Sequence, residues 1–325
     1  MKEISAGDRG LVKEKRTDMV KVFVDGSAGT TGLRIRERLA SRDDIETVVL
    51  EGELRKDNDA RAAAMAQSDI TFLCLPDAAA KEAVLMAEGM DTVIIDTSTA
   101  HRVSPDWTYG FPELTGFRDK IKTARRIANP GCHASGFIAL AAPLKEAGII
   151  KHDMRLSCFS FTGYSGGGKN MIADYENEER DVLLDAPRMY GLGQQHKHLP
   201  EMAKYCGLYY DPIFCPVVAD FYSGMEVVIP LFKNDIKGNI EDIKDTYRNY
   251  YREGLVSFSE TADENGFLSA GVLAGKDSME LAVFGNNERI LLVSRFDNLG
   301  KGASGAAIQN MNIVLGLDEK TGLTI

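Results

Sequence analysis

Tryptophan occurs once in 325 residues and cysteine five times, and neither is arranged to staple a fold. Cys74, Cys132, Cys158, Cys206 and Cys215 lie far apart, with no pair at the C-x-x-C spacing of a metal or redox site. Their odd number argues against a disulfide framework. A reduced, cytoplasmic protein with four of the five thiols buried and inert is the expectation. Positive charge is in short supply too: 38 Lys and Arg stand against 48 Asp and Glu, a formal net charge of −10. That removes the electrostatic basis for binding nucleic acid or an anionic membrane. An acidic protein binds phosphates locally, with loop amides and a few cations. No apolar run approaches the roughly 18–20 residues a membrane-spanning helix needs. There is no internal repeat. The opening MKEISAGDRGLVKEKRTD has no apolar signal-peptide centre. Residues 1–18 read as a disordered extension or an artefact of the start site, with Met19 a sensible natural start.

What is present is an ordinary globular composition, 44% hydrophobic, in a chain long enough for two domains. From Met19 the pattern alternates strand and helix: strands over 20–25, 46–50, 70–75 and 92–96, and helices up to 41 and over 57–67 and 78–89. Repeated β-α-β with short connections implies a parallel sheet covered on both faces. After Asn129 the style changes. A helix over 134–147 stops at Gly148, as a glycine C-cap would stop it. Strands follow over 154–160, 213–218, 225–231, 281–284 and 290–296, with an amphipathic helix over 240–251 and an apolar one over 303–315. This half reads as an α+β domain with a mixed or antiparallel sheet and helices on one face. Residues 163–200 form the longest loop-like stretch, and loops of that length are more often functional than idle.

Three motifs carry chemistry. The first is Gly26-Ser27-Ala28-Gly29-Thr30-Thr31-Gly32, between a strand and a helix. Glycines let the backbone approach a pyrophosphate, and a helix N-terminus offers free N–H groups and a favourable dipole. The spacing is G-x-x-G-x-x-G rather than G-x-G-x-x-G, and a tight turn needing glycine for packing alone would use the same residues. Glu51, closing the second strand, suits a ribose hydroxyl; Arg55 and Lys56 suit a 2′-phosphate instead. The second motif is Asn129-Pro130-Gly131-Cys132-His133-Ala134-Ser135. A cysteine at a helix N-terminus is expected to have a lowered pKa and to act as a nucleophile, with the first helix amides available to an oxyanion. The third is His196-Lys197-His198-Leu199-Pro200-Glu201, where His198 and Glu201 share a helical face and could pair as base and orienting carboxylate. A metal pair at His-x-His lacks further ligands nearby, so no metal is expected. Three loops mix small residues with a cation, over 96–102, 165–169 and 298–304. Ser98, Asn298 and Lys301 are expected toward the cofactor, and Arg102, Ser165 and Lys169 toward the substrate.

Taken in order, GSAGTTG, DTSTAHR, YGFPEL, NPGCHASG, HKHLPE and NLGKGASGAA resemble the shorter type of N-acetyl-gamma-glutamyl-phosphate reductase. The resemblance runs from about Met19 to Leu315, and NPGC is its most diagnostic part. It implies a Rossmann-type nucleotide-binding domain over 19–130, with a helix over 303–317 packing back on it, and a catalytic and dimerisation domain over 131–302. It also implies NADPH as cofactor, an acyl phosphate as substrate with inorganic phosphate released, and a homodimer or homotetramer. Cys132 matches the thioester-forming nucleophile, His198 the acid/base and Glu201 its orienting carboxylate. His133 departs from the family, which commonly has an aromatic such as Tyr there. Aspartate-semialdehyde dehydrogenase shares the chemistry but typically has Asn where Gly131 stands. A reductase of carrier-bound aminoadipyl phosphate would want a basic rim. A silent nucleotide-binding subunit would have no use for Cys132, His198 and Glu201 together.

Overall fold

The computed structural model describes residues 19–325, so the expectation for residues 1–18 lies outside the described residues. Six short strands form the first sheet: β1 (Val20–Asp25), β2 (Ile45–Val48), β3 (Ile70–Leu73), β4 (Val93–Asp96), β5 (Thr108–Tyr109) and β6 (Arg126–Ala128). Their order is β2-β1-β3-β4-β6-β5 and every pairing is parallel. Helices α1 (Thr30–Ala40), α2 (Asn58–Ala66), α3 (Asp77–Met86) and α4 (Phe117–Thr123) supply the connections. Strands such as ITFL in β3 are buried at every position, as a sheet covered on both faces requires. The chain leaves β1 in one direction for β2 and returns on the other side for β3. A crevice therefore opens between β1 and β3 at their carboxyl ends, the usual ligand position in open α/β sheets.

Helix α5 (Cys132–Glu146) leads into the second sheet and is buried along almost its whole length. The sheet contains β7 (Ser157–Gly163), β8 (Arg188–Met189), β9 (Ile213–Ala219), β10 (Met225–Phe232), β11 (Val256–Phe258), β12 (Met279–Gly285) and β13 (Arg289–Phe296). Its order is β11-β12-β13-β10-β7-β9-β8, mixed in direction as expected from sequence. Helices α6 (Gly168–Glu176), α7 (Leu199–Tyr205) and α8 (Ile240–Tyr250) belong to this half, and α9 (Gly305–Leu315) follows it. One sheet face shares a core with α5, where Val227, Ile229 and Leu292 meet Phe137 and Leu140. The alternate residues look outward: Phe159 is 39% exposed, Leu291 42%, Ile213 62% and Phe232 64%. Ala307, Ile308 and Met311 of α9 pack with Val22, Ile35 and Phe72 around the first sheet.

Several boundaries differ from the sequence reading. β2 stops at Val48 because its ladder with β1 ends at the Phe23–Val48 pair, and residues 52–56 make a 3-10 turn instead. β7 lies three residues further on than expected, set by pairing with β9 from Ser157 to Gly163. The presumed loop 163–200 contains α6, two 3-10 turns and β8. Its run of three glycines hid the helix start. The last helix is preceded by a π-turn over Gly300–Ser304, so α9 proper begins at Gly305.

Candidate active site

The glycine turn sits at the crevice. Gly26 has φ +83, and the carbonyl of Cys74 lies so close that no Cβ fits. A Cβ on Gly32 would come 2.5 Å from Gly26 O. These two glycines are therefore demanded by geometry. Gly29 is not: its φ of −74 is ordinary, and a Cβ would find its nearest neighbour at 3.6 Å. The first intrahelical bond of α1 runs from Leu33 N–H to Gly29 O, and Gly29 N–H donates to Gly26 O, which leaves the amides of Thr30, Thr31 and Gly32 for a ligand. Ser27 and Ala28 line a cavity of about 520 Å³ that also touches Arg36, Arg55 and Lys56. Gly29, Thr30, Thr31 and Gly32 line a second cleft of about 650 Å³. The turn thus joins a nucleoside-sized cavity to a larger reaction cleft, and its residues fit a dinucleotide laid across it.

The wall facing the turn is the loop after β4. Ser98 Oγ donates to Asp96 Oδ2 at 2.7 Å, and Ser98 N–H to Oδ1 at 2.9 Å. His101 Nδ1 meets the same carboxylate at 2.7 Å, and its ring stacks on Trp107 at 4.1 Å. So fixed, the loop delivers Arg102. Its guanidinium donates to Glu201 Oε1 at 2.8 Å, Asn129 O at 2.9 Å and Thr97 O at 3.0 Å.

Cys132 heads α5 and lines the cleft, with Gly131 as N-cap. The expected lowering of its pKa is not what the geometry gives. Burial pushes the thiol up to about 11, outweighing the Arg102 charge and the His133 amide, which both favour the thiolate. Cys132 is half-buried in the cleft wall, and the desolvation of its sulfur by the surrounding protein is the larger effect. His198 lines the same cleft from the start of α7, where Pro200 fits the first turn. Burial first, then Arg102, holds its pKa well below 6.5, so the ring is neutral at physiological pH. Its Nδ1 is buried and has no hydrogen-bond partner among the described residues.

Glu201 does not orient His198 through a hydrogen bond. Its carboxylate accepts from Arg102, from Tyr109 Oη at 2.8 Å and from Gly131 N–H at 3.1 Å. It ties the residue before the nucleophile to the loop carrying Arg102, and three of its acceptor positions are taken up there.

The other expected residues divide. Ser98, Asn298, Arg102 and Ser165 line the reaction cleft. Asn298 donates to Ser165 Oγ at 3.0 Å and accepts from Gly224 N–H at 2.9 Å. Lys301 is a correction. It is fully buried, and its ammonium donates to both oxygens of Glu113 at 2.8 Å and to Gln309 Oε1 at 2.6 Å. No donor is left for a cofactor; instead it anchors the π-turn, whose Gly302 lies against Cys132, where an added Cβ would come within 3.0 Å of the cysteine Cβ. Lys169 is a second correction: it is exposed at the start of α6 and is not in the cleft wall. Sequence reasoning missed Tyr109, Tyr190 and Arg36, which no spacing rule marks. It passed over Lys197, the residue between the two histidines it weighed.

Comparison with known proteins covers both halves. Residues 51–124 match the family profile "Semialdehyde dehydrogenase, NAD binding domain", and residues 132–298 match "Semialdehyde dehydrogenase, dimerisation domain". N-acetyl-gamma-glutamyl-phosphate reductases of Brucella suis and Brucella canis are 46% identical over 306 residues, 91% of this chain and 99% of theirs. Among solved structures, aspartate semialdehyde dehydrogenase II of Vibrio cholerae, complexed with ASA, superposes with a TM-score of 0.69 at 18% identity, over 92% of this chain and 99% of that one. The Candida albicans aspartate semialdehyde dehydrogenase with NADP gives 0.64 at 13% identity, over 92% and 99%. These two likenesses speak to the fold.

Proposed function

This chain belongs to the N-acetyl-gamma-glutamyl-phosphate reductases of the semialdehyde dehydrogenase family, and from that premise we propose that it reduces N-acetyl-gamma-glutamyl phosphate to the semialdehyde through a thioester on Cys132. The observation that carries this reading is a single cleft lined by Cys132, His198 and Arg102 on one side and the glycine turn on the other.

NADPH, when bound, supplies the hydride that reduces the thioester carbonyl. The turn over 26–32 would hold its pyrophosphate, and Arg36, Arg55 and Lys56 surround the cavity suited to its 2′-phosphate end. The chain's own residues do the rest. Neutral His198 takes the thiol proton as Cys132 Sγ attacks the acyl carbonyl, and passes it to the departing phosphate oxygen. Arg102 and the free amides at the head of α5 stabilise the oxyanion that forms between. After reduction the carbon–sulfur bond breaks, aldehyde leaves, and a proton from water reaches Sγ through His198. Because the resting thiol is protonated at neutral pH, this transfer is a required part of the attack. Glu201 acts by holding Gly131 and Arg102 in place.

The apolar face of the second sheet supports self-association, as a homodimer or a homotetramer built from dimers, since four large apolar side chains would otherwise stay in water. No described helix is long and apolar enough to cross a membrane. All five cysteines are unpaired, which suits the cytoplasm. A panel of semialdehydes assayed with phosphate and NADP⁺ tests the function: kcat/KM should be highest for N-acetyl-glutamate semialdehyde. Preference for aspartate semialdehyde would reject it.

A further inference from the structure

The reaction cleft has a second end that the chemistry above does not use. Tyr190, His196 and Lys197 line both the cleft and an adjoining open recess of about 480 Å³. The glycine turn closes the cleft's other end, toward the nucleoside cavity, so the three residues stand where a substrate's tail would leave Cys132.

Two features make this end a polar clamp. Lys197 is exposed into the cleft, and its ammonium has no hydrogen bond or ion pair among the described residues. Asp77, the carboxylate on the facing wall, is already held by Thr99, through its N–H at 2.9 Å and its hydroxyl. Tyr190 is fixed: its hydroxyl meets His133 Nε2 at 2.7 Å, and His133 Nδ1 meets Ser160 Oγ at 2.7 Å. The His133 ring is buried and edge-packed against Phe214 and His196. Neutral imidazole carries one proton, so the Ser160–His133–Tyr190 chain can run in either direction. In one direction Tyr190 offers its O–H to the cleft, in the other a lone pair. A secondary amide presents both kinds of partner. Both ring nitrogens of the residue beside the nucleophile are thus engaged, and its polar influence on the cleft passes through Tyr190.

We propose that this end is the recognition subsite for the tail of an N-acyl-amino-acid acyl phosphate: Lys197 takes the α-carboxylate and Tyr190, positioned by His133, takes the N-acyl amide. The assignment rests on the reaction proposed above and adds how its substrate is chosen. A free α-ammonium, as on an aspartyl substrate, would meet the Lys197 charge and an uncharged Tyr–His pair, and would be disfavoured.

The test is steady-state kinetics of the full chain with N-acetyl-glutamate semialdehyde, phosphate and NADP⁺. Lys197→Met should raise the aldehyde KM on the order of tenfold or more, as expected for losing a charge-assisted hydrogen bond, with kcat little changed and Lys197→Arg restoring most of the loss. Tyr190→Phe should raise the same KM about threefold to tenfold. His133→Phe should do the same, and the two together should add little, because they break one chain. Lys169→Met, a charge loss outside the cleft, keeps the parent KM. An unchanged aldehyde KM in Lys197→Met and Tyr190→Phe, with the parent fully active, overturns the subsite alone. A parent that does not oxidise this semialdehyde overturns the reaction itself. Should His133→Phe fail to fold, the Lys197 and Tyr190 variants decide.

Discussion

Replacing Gly131 with alanine puts one methyl group at the centre of the proposed machinery. The backbone would accept it, since φ −78 and ψ 145 are ordinary extended values. The space would not. The new Cβ would lie 2.5 Å from His198 Nε2, 2.6 Å from Glu201 Oε1, and closer still to Arg102 Nη1. Non-bonded contacts settle at about 3.5–4.0 Å, so each neighbour must retreat by about 1 Å. Retreat strains the Arg102–Glu201 bond, 2.8 Å long and buried, and shifts His198 relative to the nucleophile. A misplacement of that size costs on the order of 10²-fold in rate. Overpacking costs about 1–3 kcal/mol of stability, or a fall of a few degrees in Tm for a domain of this size. The assay is kcat/KM for N-acetyl-glutamate semialdehyde beside a thermal melt and an NADPH titration. The expected result is a loss near 10²-fold with NADPH affinity kept, because residues 26–32 are untouched. Parent-like kcat/KM with a parent-like melt would refute the packing argument.

Three further outcomes follow from the same geometry. Gly29→Val has room in the protein and adds bulk to the cleft wall at the turn proposed to hold the pyrophosphate; fluorescence titration should show weaker NADPH binding with Tm unchanged. The Cys132 thiol, pushed up to about 11 by burial, should react with iodoacetamide about tenfold faster per pH unit from pH 7 to 10, since only the thiolate reacts; peptide mass spectrometry of Cys132 would contradict this by showing a plateau near the free-thiol value of about 8.5. Lys301→Met strands Glu113 in a buried site, which should cost about 3–5 kcal/mol and lower Tm sharply, while NADPH affinity measured below the melt stays near the parent value.

Much of the fold was legible because its signals are local. The β1 strand VKVFVD and the glycines that follow announce themselves by pattern, and Gly26 and Gly32 prove indispensable for steric reasons that the spacing implied. The α6 helix was not legible, since it starts within a glycine run. The same divide runs through the site. Cys132 and His198 could be picked by motif. The partners of Glu201 could not, because Arg102, Tyr109 and Gly131 reach it from three separate segments. Lys301 misled for a related reason: a lysine among glycines reads as an anion site, and only the fold shows Glu113 waiting beneath it. The Cys132 thiol misled because helix position is visible in sequence and burial is not.

The central claim is that Cys132 carries the acyl group. Enzyme mixed with N-acetyl-gamma-glutamyl phosphate in the absence of NADPH, quenched and read by intact and peptide mass spectrometry, tests it directly. The account predicts one N-acetyl-glutamyl adduct per chain, located on Cys132, released by NADPH as the semialdehyde and missing from Cys132→Ser. An adduct on another residue, or turnover at the parent rate in Cys132→Ser, would contradict it.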